Sequence, residues 1–274
     1  ESQQHGVNAV DMHRALPVDQ IGDKEFVDAM PDIQPHYAVK ANPNPNLLAT
    51  LHNLSSSFEV ASLHEINLLD RLGFLTQDTH FSNPIKSEKS IGFAAKKGIN
   101  WFTFDSAEEL RKIKNIKPDA KLSLRIDVPN EGSDWPLSSK FGAKQHEVGT
   151  LIKLAKEVKA DVCGLTFHVG SQCRNPENWA VAIKISQAIM TKMKDAGLKI
   201  EILNIGGGFP VELSTPVPSI NQIGKVIASS LLVLPKNIKV IAEPGRFLVA
   251  EAGCLIAQVI NTARRDSGRW VYLD

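Results

Sequence analysis

From about residue 35 onward, short runs rich in β-branched and aromatic residues alternate with longer segments whose apolar positions recur at helical spacing. Eight such runs fall near 35–39, 57–61, 79–82, 101–104, 121–126, 162–168, 200–205 and 238–242. Between them, sets such as Leu151, Leu154, Ala155 and Val158, or Ile183, Ile185, Ile189 and Met193, mark one face of a helix. This alternation is the signature of repeated βα units around a parallel sheet, and eight strands predict a closed, TIM-like (β/α)8 barrel. Helix starts are signalled by Ser87 before Glu88, by Asp105-Ser106 before Ala107-Glu108-Glu109, and by Pro176 between Asn175 and Glu177. The expected division is an irregular segment over 1–34 with one helix near Asp23–Met30, a barrel over 35–250, and a further segment over 251–274.

The chain has 274 residues, enough for one large α/β domain with a substantial apolar core. Its 31 Lys and Arg against 30 Asp and Glu leave no basic field for nucleic acid or an anionic membrane, which makes a small molecule the expected partner. Cys163, Cys173 and Cys254 lack metal-ligand spacing, and their odd count and separation argue against a disulfide framework, so no metal and a reducing, cytoplasmic setting are expected. No stretch has the length of a membrane-spanning helix, and Glu1-Ser2-Gln3-Gln4-His5 has no signal-peptide character. The absence of an initial methionine, and an end at Asp274 directly after the strand-like Trp270-Val271-Tyr272-Leu273, lead us to expect a fragment of a longer protein.

In a (β/α)8 barrel the working residues gather where the strands end, because the βα loops converge on one mouth. The first strand ends at Lys40, closing the run Tyr37-Ala38-Val39. A strand-end lysine is ordinarily one that snorkels to water. Held inside a site, its ammonium would lose hydration, its pKa would fall, and the free amine could attack an aldehyde. The second strand carries Glu59 and leads to Glu65, the third leads to Asn83 and Lys86, and the fifth carries Arg125. The sixth ends in His168-Val169-Gly170-Ser171-Gln172, the seventh in Gly206-Gly207-Gly208-Phe209-Pro210, and the eighth in Glu243-Pro244-Gly245-Arg246. Each has a plain alternative: a tight turn for the glycines, a surface ion pair for Glu-Pro-Gly-Arg, a core histidine for His168, helix-start charges for Glu59 and Glu65. Together they assemble an imine-capable lysine, backbone amides that can approach a phosphate, a ring-sized imidazole and a carboxylate.

In this order the motifs resemble those of the fold-type III pyridoxal-phosphate decarboxylases, which include ornithine, lysine, arginine and diaminopimelate decarboxylases and are related to alanine racemase. The resemblance runs from about residue 34 to the end, through Tyr37-Ala38-Val39-Lys40-Ala41-Asn42-Pro43, Phe58-Glu59-Val60-Ala61-Ser62, Ser82-Asn83-Pro84-Ile85-Lys86, Thr103-Phe104-Asp105-Ser106, Lys140-Phe141-Gly142 and the three glycine-containing strand ends above. It implies an alanine racemase-like barrel binding pyridoxal 5'-phosphate (PLP), with Lys40, His168 and Glu243 as catalytic residues. Lys40 would form the imine with the cofactor, His168 would stack on its pyridine ring, and Glu243 would pair with the protonated ring nitrogen. Ser171, Gly206, Gly207, Gly208, Gly245 and Arg246 would surround the phosphate, and Arg125, Glu59 and Glu65 would form the inner polar shell. Position 59 is usually aspartate in this family.

The loop Asp134-Trp135-Pro136-Leu137-Ser138-Ser139-Lys140-Phe141-Gly142 resembles the ornithine/lysine branch. The resemblance therefore implies decarboxylation of ornithine or lysine to a diamine, a step of polyamine biosynthesis, in a cytoplasmic homodimer with shared active sites. Diaminopimelate decarboxylase, or a catalytically dead homologue that acts as a binding regulator, is the alternative. Family members also carry a C-terminal β-domain, of which residues 251–274 would be only the start, so this chain alone is expected to have little or no activity.

Overall fold

The computed structural model describes residues 22–252 and 257–274; Cys254 and the opening residues 1–21 lie outside them. Eight parallel strands close into a barrel: β1 (Gln34–Ala38), β2 (Ser57–Val60), β3 (His80–Phe81), β4 (Trp101–Phe104), β5 (Lys121–Arg125), β7 (Asp161–Thr166), β9 (Ile202–Asn204) and β10 (Lys239–Ala242). Around the barrel the hydrogen-bonded order is β1-β10-β9-β7-β5-β4-β3-β2, and closure is made where Gln34 and Pro35 of β1 meet Ile241 and Ala242 of β10. All eight expected runs are strands, several of them shorter at the ends than the runs themselves. The sixth run stops pairing as a strand at Thr166, so His168 stands beyond the strand rather than in it; Phe167 still donates its N–H to the Asn204 carbonyl at 3.2 Å.

Helices α2 (Pro45–Asn53), α3 (Leu63–Leu72), α4 (Glu88–Lys96), α5 (Ala107–Ile116), α6 (Gln145–Glu157), α7 (Glu177–Asp195) and α8 (Ile220–Leu231) pack outside, with α1 (Asp23–Ala29) before the barrel and the single turn α9 (Arg246–Val249) after β10. The starts of α2, α3, α4, α5 and α8 are fixed by short polar side chains that accept otherwise unpaired backbone N–H groups. Ser87 accepts from Ser90 N at 3.1 Å, Ser106 from Glu109 N at 3.3 Å, and Asn44 from Asn46 N at 2.9 Å ahead of Pro45. Among the described residues no helix is long and apolar enough to cross a membrane.

Strand side chains alternate between the two faces of the sheet, and here they sort into two environments. Tyr37, Phe58, Phe81, Phe102, Leu122 and Leu203 face outward and belong to the main core under the helices. Inside the barrel, the N-terminal end is closed by Trp101, Cys163, Ile202 and Ile241 together with two buried histidines. His36 meets His80 edge-on at 4.8 Å between ring centroids, and His80 stacks on Trp101 at 4.9 Å. Two residues further along the same strand faces come Ser82, Thr103, Asn204 and Glu243, so an apolar plug gives way to a polar layer toward the mouth.

Two small antiparallel sheets lie outside the eight expected strands. At the mouth, β6 (Ser133–Trp135) pairs with β8 (Ser171–Cys173), Trp135 opposite Ser171; three residues per strand leave no periodicity to read. After the barrel, β11 (Val259–Arg265) pairs with β12 (Gly268–Leu273), a hairpin on which Ile260, Trp270 and Leu273 are exposed.

Candidate active site

The strand ends enclose a cavity of about 510 Å3 lined by Lys40, His168, Ser171, Gly207, Gly208, Glu243, Gly245 and Arg246, with Phe209, Val211 and Leu213 on its wall. Lys40 sits on the single 3-10 turn, Val39–Ala41, that ends β1, and its Nζ lies 3.3 Å from Glu59 Oε2. Its side chain is 59% accessible from the cavity whereas that of Glu59 is 1% accessible. This ion pair reverses one expectation. The Glu59 carboxylate, helped by Glu243, outweighs desolvation and holds the Lys40 pKa above its ordinary value rather than below it. Burial raises the Glu59 pKa as well, above the usual carboxylate range, with Lys40 opposing the shift, and its Oε1 has no partner among the described residues. The pair therefore favours the protonated amine on Lys40.

Glu243 reaches the cavity from the end of β10, held by one oxygen. Asn204 Nδ2 donates to its Oε1 at 2.6 Å, and the Ser82 hydroxyl donates to the same oxygen, which leaves Oε2 without a hydrogen-bond partner among the described residues. Neither Ser82 nor Asn204 stood out as a site residue in the sequence. The available signal was a serine and an asparagine two residues beyond the inward-facing His80 and Ile202, and only the closed barrel brings them to position 243.

His168 Nδ1 accepts the backbone N–H of Gly170 at 3.0 Å, so the ring is neutral with its proton on Nε2. Burial, reinforced by the charges of Arg125 and Lys40, drives its pKa well below the ordinary histidine value. The guanidinium of Arg125 lies 5.0 Å from the centroid of the Phe141 ring, which gives the Lys140-Phe141-Gly142 motif a packing role. Arg125 is not among the residues that line the cavity; burial lowers its pKa, opposed by the carboxylates of Glu243, Asp105 and Glu59.

Two expected site residues are engaged elsewhere. Glu65 uses both oxygens at the start of α3, accepting from Ala61 N at 2.9 Å and the Ser62 hydroxyl at 2.7 Å, so its role is that of a helix-start carboxylate. Gly206 does not line the cavity. Its N–H goes to Asn204 Oδ1 at 2.9 Å and its carbonyl accepts from Glu243 N at 2.8 Å, and a Cβ there would fall 2.1 Å from the Phe167 carbonyl. The first glycine of the triplet thus permits strand-to-strand packing, leaving Gly207 and Gly208 at the wall. Lys86 is likewise structural: buried, with its pKa pushed down to about 8, it pairs with Glu109 at 2.9 Å and donates to the carbonyls of Asn83 and Thr103.

The residues present fit PLP. Gly207 and Gly208 bring bare backbone to the wall, where a Cβ would meet the Glu243 and Gly170 carbonyls at 2.6 and 2.3 Å, and Arg246 adds a positive charge on the same cavity. The free oxygen of Glu243 and the amine of Lys40 open into that space as well. A closed parallel barrel with this mouth defines a small-molecule-binding protein organised around a lysine.

Comparison with known proteins makes the class specific. The family model described as pyridoxal-dependent decarboxylase, pyridoxal binding domain, matches residues 22–250. The chain is 37% identical over 238 residues to ornithine decarboxylase of Schizosaccharomyces pombe, covering 86% of this chain and 54% of that protein. It is 35% identical over 238 residues to antizyme inhibitor 2 of Xenopus laevis, covering 86% and 52%. Lysine/ornithine decarboxylase from Vibrio vulnificus, in its crystal structure complexed with cadaverine, superposes with a TM-score of 0.82 and 34% identity over 94% of this chain and 69% of that one. The chain belongs to the fold-type III PLP-dependent decarboxylase family, in its ornithine/lysine branch. It spans about half the length of the curated relatives it matches.

Proposed function

We propose that this chain is the cofactor-binding barrel of a PLP-dependent decarboxylase that converts ornithine or lysine to a diamine in polyamine biosynthesis. The observation that carries the reading is the meeting, in one cavity, of the Lys40 amine with the anchored carboxylate of Glu243. When bound, PLP supplies an aldehyde and a protonated pyridine ring able to accept the electrons released as CO2 departs. Glu243 would hold the ring nitrogen through its unpartnered oxygen, and Ser82 and Asn204 keep that carboxylate from turning away. His168 offers a neutral imidazole face, its tautomer fixed by Gly170. Before Lys40 can act as a nucleophile it must lose a proton, and Glu59 Oε2, 3.3 Å away and with an elevated affinity for protons, is placed to take it. Ser171, Gly207, Gly208, Gly245 and Arg246 hold the phosphate.

The family resemblance extends the proposal to a cytoplasmic homodimer with shared sites, and to residues 251–274 as the start of a second, β-rich domain. Ornithine or lysine is preferred to diaminopimelate because the relatives described above are named for those substrates, and one is complexed with the diamine cadaverine. A binding regulator is the second reading, favoured by the similarity to antizyme inhibitor 2; retention of Lys40, His168 and Glu243 around one cavity favours the enzyme. The substrate class is tested by adding amino acids to the PLP-loaded chain and following the cofactor's visible absorbance. Ornithine or lysine should perturb the spectrum at concentrations where meso-diaminopimelate does not. A response to diaminopimelate alone would overturn the substrate assignment, and no response to any of them would favour the regulator.

A further inference from the structure

Among the described residues, three carry a side chain in the left-handed backbone region: Ser55, Lys159 and Gln172. The first two follow directly on the ends of α2 and α6, where such a conformation is the ordinary way out of a helix. Gln172, at φ 54°, lies within β8 and has no helix to leave. A residue with a Cβ is disfavoured there and persists only where its surroundings impose the conformation.

The imposed conformation directs the buried Gln172 amide onto a single backbone unit. Its Nε2 donates to the Val211 carbonyl at 2.9 Å and its Oε1 accepts from the Val211 N–H at 2.9 Å. On one side of it Ser171 lines the cavity, and on the other Cys173 donates its N–H to the Gly208 carbonyl at 2.9 Å. Gln172 therefore ties two segments from different strands, the loop after β7 and the glycine loop after β9, at the points where both face the cavity.

We propose that Gln172 is a positioning residue for the cofactor phosphate: its amide fixes the spacing between the Ser171 hydroxyl and the backbone of Gly207 and Gly208. The proposal rests on the PLP reading above. It separates phosphate recognition from capture of the aldehyde, which belongs to Lys40 on another strand.

The test compares binding of PLP and of pyridoxal, which lacks the phosphate, to wild type and to Gln172→Ala, Gln172→Gly and Gln172→Glu, with a thermal melt of each. Alanine and glycine both remove the tie, but only glycine also relieves the backbone strain. Both variants should bind PLP about tenfold more weakly, the scale of one net hydrogen bond's worth of positioning, and pyridoxal within about twofold of wild type. Q172G should melt above Q172A without binding PLP any better, which ties the loss of PLP affinity to the missing amide rather than to fold stability. Q172E keeps the volume and the acceptor for the Val211 N–H but sets a carboxylate oxygen against the Val211 carbonyl, so it should lose PLP affinity as well. Wild-type PLP affinity in either Q172A or Q172G, or equal losses for PLP and pyridoxal, would overturn the inference alone. A wild-type chain that binds no PLP would overturn the cofactor reading and this inference with it.

Discussion

Lys40 and Glu59 carry the sharpest contrast between what a residue's type implies and what its neighbours make of it. A lysine closing an apolar run reads as a desolvated amine with a lowered pKa, and desolvation does act on it; the Glu59 carboxylate 3.3 Å away overrides that effect. The charge of Glu59 is the first cause of the upward shift, so Glu59→Gln should lower the Lys40 pKa. Covalent capture of PLP by Lys40, followed by absorbance across a pH series, should then set in at lower pH than in wild type. An unmoved or raised pH midpoint would contradict the role given to Glu59. The meeting of Lys40, His168, Glu243 and Arg246 in one cavity was legible in the sequence because each lies in a recognisable motif at or just beyond the end of a strand. Ser82 and Asn204 were not, because their value lies in meeting one oxygen of Glu243 across the barrel, and nothing in a local pattern records that meeting.

At the scale of elements, strands buried on both faces leave a long apolar trace, which is why all eight could be read, whereas β6 and β8 lie at the mouth with three residues each and left none. Glycines read as one phosphate-approaching run divide by register: Gly206 serves strand packing, Gly207 and Gly208 the cavity. The barrel's closed end also has a measurable consequence. His36 is fully buried, neither ring nitrogen has a partner among the described residues, and burial, aided by the charge of Lys239, lowers its pKa to about 3; His80 beside it is shifted the same way. Unfolded, such histidines take up protons below about pH 6.5, while the folded barrel refuses them, so the unfolded state binds more protons and stability falls as pH falls. Their contribution is intact above about pH 6.5 and declines by roughly 1.4 kcal/mol per pH unit per histidine below it. Denaturant melts at pH 7, 6 and 5 should show this decline, and His36→Leu should flatten it. A slope unchanged by the substitution would remove His36 from the account.

The whole molecule gathers its chemistry from positions as far apart as Lys40 and Arg246, delivered to one cavity by five different strands or the loops that follow them. A formal net charge of +1 supplies no long-range field to steer a charged ligand toward that cavity. Exposed Ile260, Trp270 and Leu273 on the β11–β12 hairpin lie apart from it, outside the 22–250 region that the family model matches. The juxtaposition of the Lys40 amine with Glu243, His168 and the Gly207-Gly208 wall is the central claim, and it is tested by incubating the chain with PLP, reducing with borohydride and mapping the modified peptide. The pyridoxyl label should fall on Lys40 alone and vanish in Lys40→Ala; a label spread over surface lysines, or none at all, would contradict it.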